Sequence, residues 1–259
     1  MQLDIFQIDA FSDRQFGGNP AAILPLQSWL PDETLLAIAE ENNLAETAFF
    51  IAGQSEIELR WFTPSTEVKL CGHATLAAAH VLFQYLDYPA DLIRFSTLSG
   101  ILTAVRRGDM IELDFPASSL ADSKIDPALA RTLDVMPTAQ FNGIYPVLVL
   151  ESAEQVAKVS CDTVALNSCG NGTLVVTAPG DDCDFVSRFF APGVGIDEDP
   201  VTGSAHCTLT PYWARTLNKN CLLARQLSPR GGVLECELKG DRVLMRGKSA
   251  LYLQGQIFI

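Results

Sequence analysis

Arg60-Trp-Phe-Thr-Pro64, followed by Cys71-Gly-His-Ala-Thr75, is the stretch that decides the fold, because it occurs twice. Its second copy reads Arg188-Phe-Phe-Ala-Pro192 and then Thr202-Gly-Ser-Ala-His206. Downstream, Gly100-Ile-Leu and Gly108-Asp109 recur as Gly232-Val-Leu and Gly240-Asp241. The landmarks keep a nearly constant offset, close to half of the 259 residues. Such a repeat predicts two copies of one domain, divided as 1–118 and 119–259, with the C-terminal strand a candidate to return to the first. The polar stretch Ala117–Asp126 is the expected linker. Two related domains facing each other make a cleft, and each copy brings a glycine-led helix start to it.

Working outward from the repeat, Cys71–Leu86 and Pro200–Ala214 contain no charged residue. A helix apolar on every face must be buried on every face. Pro211, inside the second such stretch, is expected to kink or end its helix. Helical pattern also appears at Asp32–Glu41, after Pro31, and at Asp126–Leu133 and Ser152–Val159. Most of the remaining chain alternates as strands. In the first half these are Leu3–Phe11, Ala21–Leu26, Ala48–Ile51, Ile57–Phe62, Leu92–Ser96 and a hairpin over 101–115 turning at Gly108-Asp109. In the second they are Tyr145–Leu150, Leu174–Ala178, Phe185–Phe190 and a hairpin over 233–245 turning at Gly240-Asp241. The predicted class is α+β: two pseudo-symmetric domains, each a curved mixed sheet wrapped around one central helix.

Composition narrows the partners. With 31 acidic against 18 basic side chains the formal charge is −13, which argues against nucleic acid and anionic membrane surfaces. It leaves room for a small anionic metabolite held by local dipoles. Seven cysteines without a framework predict a reduced, cytoplasmic setting. The alternating Met1–Asp9 reads as a first strand and not a signal peptide. No apolar run reads as a membrane span.

Both central helices open on small residues, Gly72-His73-Ala74 and Gly203-Ser204-Ala205. Unpaired N–H groups and the helix dipole make such starts candidate anion sites. Around them few ionisable groups stand out. Asp199 precedes the second helix, as a cap or a functional carboxylate. At the first helix start, His73 is expected to be neutral, whereas His80 reads as a core histidine. Glu46, in Asn43-Leu-Ala-Glu-Thr-Ala48, stands at a helix-to-strand junction. Asp199, Ser204 and His206 resemble a hydrolase triad, but residues two apart on a helix do not face each other. Three histidines without ligand spacing predict no metal site. Cys169-Gly-Asn-Gly-Thr173 leads into a strand and reads as a turn.

Asn43-Leu-Ala-Glu-Thr47, Glu67-Val-Lys-Leu-Cys-Gly-His-Ala-Thr75 and Glu198-Asp-Pro-Val-Thr-Gly-Ser-Ala-His206 resemble the PhzF-like (phenazine-biosynthesis-like) family, as does Gly17-Gly-Asn-Pro20. The resemblance spans the chain. It implies the diaminopimelate-epimerase fold and a cofactor-independent isomerisation like that of a dihydro-hydroxyanthranilate, in which a proton moves between ring carbons. It implies Glu46 as the proton-transferring base and acid, with His73, Asp199 and Ser204 around the substrate. Gly72, Gly203, Thr202 and Asn19 are the expected substrate-binding residues, and a homodimer is expected.

Related epimerases and racemases place one cysteine at each helix start. Here Cys71 precedes Gly72, but Thr202 precedes Gly203. Threonine is too weak an acid to replace the second thiol. The leading expectation is therefore a glutamate-based isomerase. An epimerase using Cys71 with a non-thiol partner such as Asp199, and a binding protein without turnover, are the rivals.

Overall fold

A computed structural model describes residues 1–53 and 56–259. The chain divides into two compact units: Met1–Asp114 together with Arg246–Ile259, and Phe115–Met245. The division thus falls slightly before the one read from the sequence, and the returning C-terminal segment begins at Arg246.

The first unit carries β1 (Gln2–Ala10), β2 (Asn19–Leu26), α1 (Asp32–Asn42), β3 (Glu46–Ala52), β4 (Ile57–Phe62), β5 (Glu67–Val68), α2 (Gly72–Tyr85), β6 (Leu92–Thr97), β7 (Gly100–Arg107) and β8 (Met110–Pro116), the last running on into the second unit. The second carries β9 (Ala121–Ser123), α3 (Pro127–Ala130), β10 (Ala139–Asn142), β11 (Pro146–Val149), α4 (Ala153–Lys158), α5 (Thr163–Asn167), β12 (Leu174–Pro179), β13 (Phe185–Ala191), β14 (Ile196–Asp199), α6 (Gly203–Leu217), β15 (Cys221–Gln226), β16 (Gly232–Lys239) and β17 (Arg242–Gly247), the last running on into the first unit. The final strand, β18 (Ser249–Phe258), belongs to the first unit and pairs antiparallel with β1.

Strand pairing repeats from one unit to the other. In the first, β1–β2 is antiparallel, β2–β3 parallel, β3–β4 antiparallel, β4–β6 parallel and β6–β7 antiparallel. In the second, β10–β11, β11–β12, β12–β13, β13–β15 and β15–β16 follow the same series of directions. Even the flanking strand is matched. The linker strand β9 lies antiparallel to β10 as β18 lies to β1. The stretch 117–126, read from sequence as a plain loop, therefore contains a strand.

Each sheet of this kind is covered on both faces, which explains its apolar strands. Ala22, Leu24, Leu26 and Phe49 pack with Leu35 and Ile38 of α1. Side chains alternate along a strand, so Ala21, Ile23 and Ala48, also buried, line the other face. Helix α2 packs against β1, β2, β3, β7 and β18, and nearly all of it is buried, as its uncharged sequence requires. In the second unit α6 packs against β15 and β16, and its Trp213 stacks on Phe185 of β13 at 5.8 Å.

Two local expectations are refined. Of the two outcomes expected at Pro211, a kink or an end, the helix does not end there and continues to Leu217. A proline leaves the carbonyl four residues back without its helical donor. Here that carbonyl, on Cys207, accepts the Ser118 N–H instead at 3.0 Å. The helix expected over 126–133 is only Pro127–Ala130, capped by Asp126 Oδ1, which accepts the Ala128 N–H. Its expected last turn unwinds because Leu133 forms a β-bridge with Cys161 and Asp134 donates to Ser160 O.

One device fixes both helix starts. Arg60 grips Glu67 with two hydrogen bonds of 2.7 Å, and Arg188 grips Glu198 with bonds of 2.7 and 2.8 Å. Each guanidinium also lies over the phenylalanine two residues on, Phe62 at 5.1 Å and Phe190 at 4.8 Å. Antiparallel pairing sets Phe62 opposite Glu67 and Phe190 opposite Glu198. The two glutamates stand at the same distance ahead of the N-cap residues, Cys71 and Thr202. Repeated arginines thereby anchor the chain just before each buried helix. Among the described residues, no helix is long and apolar enough to cross a membrane.

Candidate active site

In the first unit the site assembles around His73, the second residue of α2. Gly18 makes the approach possible: its φ is +63°, and a Cβ there would lie 2.1 Å from Ala10 O. Only glycine fits such a turn. The turn returns Asn19 into register opposite Ala10, where it is fully buried. Its Nδ2 then lies 3.2 Å from His73 Nδ1. Glu46 arrives from the other side, at the first position of β3, in parallel register with Ala21. Asn43 at φ +49° closes α1, and Asn42 donates to Thr47 Oγ1 at 3.1 Å, so the helix-to-strand junction is held tightly.

Glu46 Oε2 lies 3.2 Å from His73 Nε2, within ion-pair distance but out of line for a hydrogen bond. An amide nitrogen only donates, so the Asn19 contact makes Nδ1 the acceptor and assigns the ring proton to Nε2, toward Glu46. Burial pushes the His73 pKa down from 6.5 to about 3, so the ring is neutral at physiological pH. Cys71, the N-cap, sets its sulfur 3.6 Å from His73 Nδ1. Carboxylate, thiol and imidazole donors thus lie within 4.8 Å of one another. His80, expected in the core, is half-buried against Tyr85 at 5.8 Å, because it lies one turn from the helix end.

In the second unit the helix start is built differently. Thr202 is the N-cap, yet its hydroxyl turns back and donates to Asp199 Oδ2 at 2.5 Å. Gln226, fully buried at the end of β15, holds that turn. Its Oε1 accepts the Thr202 N–H at 2.9 Å, and its Nε2 donates to Asp199 O at 2.8 Å and to Thr202 Oγ1 at 3.2 Å. A threonine oxygen that accepts from the amide has its own proton left for the carboxylate. Ser204 shares a hydrogen bond with Tyr145 Oη at 3.0 Å, and the Tyr145 ring packs on Phe189 at 4.7 Å. His206 points elsewhere: its Nδ1 lies 2.8 Å from Thr202 O, its ring packs on Phe185, and burial lowers its pKa to about 4. Cys169–Thr173 is a turn, with Gly170 and Gly172 both at positive φ.

The sequence-predicted residues therefore gather as two groups. Asn19, Glu46, Gly72 and His73, with Cys71, form one; Asp199, Thr202, Gly203 and Ser204 form the other. Sequence reasoning missed Tyr145 and Gln226 as members of the second. Tyr145 was visible only as the start of a predicted strand, and the strand that carries Gln226 was not read at all.

Comparison with known proteins bears on what these groups do. The family model described as phenazine biosynthesis-like protein matches residues 8–255. The chain belongs to the phenazine biosynthesis-like family. An uncharacterized isomerase of Pseudomonas aeruginosa is 46% identical over the full length of both chains. The crystal structure of a PhzF-family phenazine biosynthesis protein from Enterococcus faecalis superposes with a TM-score of 0.98 at 42% identity, covering all of both chains. With such relatives the chain is an isomerase of this family. A hydroxyproline epimerase from Agrobacterium vitis, solved with trans-4-hydroxy-L-proline, matches with a TM-score of 0.67 over 99% of this chain and 92% of that one. At 10% identity that likeness concerns the fold, the diaminopimelate-epimerase-like α+β arrangement expected from the repeat.

Proposed function

We propose that this phenazine biosynthesis-like isomerase moves a carbon-bound proton in a small carboxylate-bearing metabolite, without a cofactor, using Glu46 as base and then acid. The observation that carries the reading is Glu46 Oε2 at 3.2 Å from a neutral, buried His73. A cationic imidazole would hold the carboxylate in its ionised form and weaken it as a base. A neutral ring, its Nδ1 facing Asn19, sets no positive charge beside the carboxylate and leaves it able to take a proton and return it. The substrate carboxylate is assigned to the N–H groups at the start of α2, beginning Gly72-His73; the start of α6, Gly203-Ser204, offers N–H groups of the same kind within its own unit.

The test is deuterium uptake in heavy water, starting with a dihydro-hydroxyanthranilate and extending to a panel of small carboxylates, read by mass spectrometry. Wild type should label a substrate that Glu46→Gln does not. Equal labelling by Glu46→Gln removes Glu46 from the mechanism. One base shuttling one proton also predicts that part of the hydrogen travels from the old carbon to the new one without exchange.

A second reading, epimerisation through Cys71, draws support from its sulfur lying 3.6 Å from His73 Nδ1. Against it, that nitrogen already faces Asn19, and a neutral ring lends no positive charge to a thiolate. Normal turnover by Cys71→Ala would dispose of this alternative.

A further inference from the structure

Glu46, Cys71 and His73 come from two elements and share no ligand-type spacing, which is why the sequence predicts no metal site. The fold nevertheless sets one oxygen, one sulfur and one nitrogen of theirs within 4.8 Å of one another. A tetrahedral zinc ion holds sulfur at about 2.3 Å and nitrogen or oxygen at about 2.0–2.2 Å. Ligands at those radii lie roughly 3.3–3.6 Å apart. The Cys71 Sγ to His73 Nδ1 separation of 3.6 Å falls in that range, while Glu46 Oε2 faces the other ring nitrogen, Nε2, and has to turn to reach an ion on Nδ1. Cys71 and His73 are buried, while the Glu46 side chain keeps 19% of its surface open, which leaves a way in.

We propose that these three side chains form a reversible inhibitory site for Zn²⁺ or a chemically similar divalent transition-metal ion. The ligands are Cys71 Sγ, a nitrogen of His73 and an oxygen of Glu46, with the fourth position left to water. Mixed sulfur, nitrogen and oxygen donors suit zinc and its neighbours, while a thiolate is a poor ligand for Mg²⁺ or Ca²⁺. As the metal–sulfur bond forms, the Cys71 proton passes to solvent. The ion takes the Nδ1 lone pair that now accepts from Asn19, and the Glu46 carboxylate turns from Nε2 to the ion. Binding stands on this geometry alone. That occupancy stops turnover rests on the role proposed for Glu46, because a coordinated carboxylate cannot take a proton from carbon.

The experiment titrates the metal-free full chain with Co²⁺ as a spectroscopic probe. One equivalent should give a near-ultraviolet thiolate-to-cobalt charge-transfer band and visible bands of tetrahedral intensity, and Zn²⁺ should abolish both by displacement. Cys71→Ser should lose the charge-transfer band, while Cys221→Ser, at an exposed cysteine, should keep it. Glu46→Gln should keep the band but bind at least about tenfold more weakly, the loss found when even an outer-shell partner of a metal is removed. Circular dichroism checks that each variant is folded, and if Cys71→Ser is not, Glu46→Gln decides. The site is refuted if wild type shows no charge-transfer band, if folded Cys71→Ser retains it, or if Glu46→Gln binds as tightly as wild type. Deuterium uptake read separately should stop with Zn²⁺ and return with a chelator; uptake that continues in the zinc-loaded protein overturns the inhibitory role. Absence of metal binding together with loss of uptake in Glu46→Gln would overturn this inference and leave the proton-transfer reading standing.

Discussion

Arg188→Met should be among the most damaging single changes outside the candidate site. The Arg188 side chain is 13% exposed and that of Glu198 15%, so the pair sits largely out of water. Two bonds of 2.7 and 2.8 Å join Arg188 to Glu198, and the third nitrogen donates to Val159 O at 2.8 Å and to Val156 O at 3.4 Å. Removing one partner of a desolvated pair leaves the other charge stranded and costs about 3–5 kcal/mol, against about 0–1 kcal/mol for an exposed pair. Replacing both partners with apolar groups avoids the stranded charge, so Arg188→Met with Glu198→Leu should be at least about 1 kcal/mol more stable than Arg188→Met alone. Arg188→Lys keeps the charge but loses the fork, and should fall between wild type and Arg188→Met. Urea unfolding followed by Trp213 fluorescence reports on the same unit, since that indole is 2% exposed and stacked on Phe185. A loss below about 1 kcal/mol for Arg188→Met, or a double variant less stable than the single one, would refute the claim that the fork is a buried anchor.

Other outcomes follow from the same geometry. Gln226→Leu strands the Thr202 N–H, and at about 1–3 kcal/mol for each buried group left unpaired should lose roughly 2–4 kcal/mol of stability; a variant as stable as wild type means the turn at Asp199 holds itself. Gly18→Ala, forced into positive φ with its Cβ against Ala10 O, should lose at least about 2 kcal/mol and move Asn19 off His73, which a crystal structure of the variant would show. His73 and His206 are buried neutral with pKa values near 3 and 4, so below pH 6.5 the unfolded chain binds more protons than the folded one, and stability is lost as pH falls. At pH 5 each should cost about 2 kcal/mol relative to pH 8, and urea midpoints that stay flat across that range would contradict the assigned neutrality.

Much of the fold was legible because its signals are local or repeated. The uncharged runs gave both buried helices, and alternation gave β4, β6 and β13 within a residue or so. What escaped depends on partners distant in sequence. The returning C-terminal strand was anticipated, but the bounds of β18 were not, since they follow from its pairing with β1 at the opposite end of the chain. α6 continues past Pro211, and the carbonyl that Pro211 leaves open accepts from Ser118, which no window around Pro211 contains. The repeated Arg60 and Arg188 were visible as landmarks, but their glutamate partners depend on a hairpin register that sequence alone does not fix. At the candidate site, Glu46 and His73 carried a motif, whereas Gln226 and Tyr145 are ordinary polar side chains until the strands place them.

The registers also bear on how many proton carriers the duplication supplies. Phe62 pairs with Thr47, and its counterpart Phe190 pairs with Leu174, so Glu46 in the first unit corresponds to Thr173 in the second. Thr173 is buried, and its hydroxyl donates to Asn171 Oδ1 at 2.7 Å. The N-caps diverge in the same sense, with Cys71 answered by Thr202, whose hydroxyl is given to Asp199. At both positions where the first unit offers a group able to carry a proton, the second offers a threonine already engaged inside its own unit. Inverting a stereocentre by the two-thiol route needs matched carriers from the two copies, and the second copy lacks them at those positions. Moving a proton from one carbon to another asks for a single carrier that gives back what it took, and Glu46 beside a neutral His73 meets that requirement. Duplication thus preserved the anchoring fork and the buried helix in both halves, while at these two positions the titratable side chains, Glu46 and Cys71, stand only in the first.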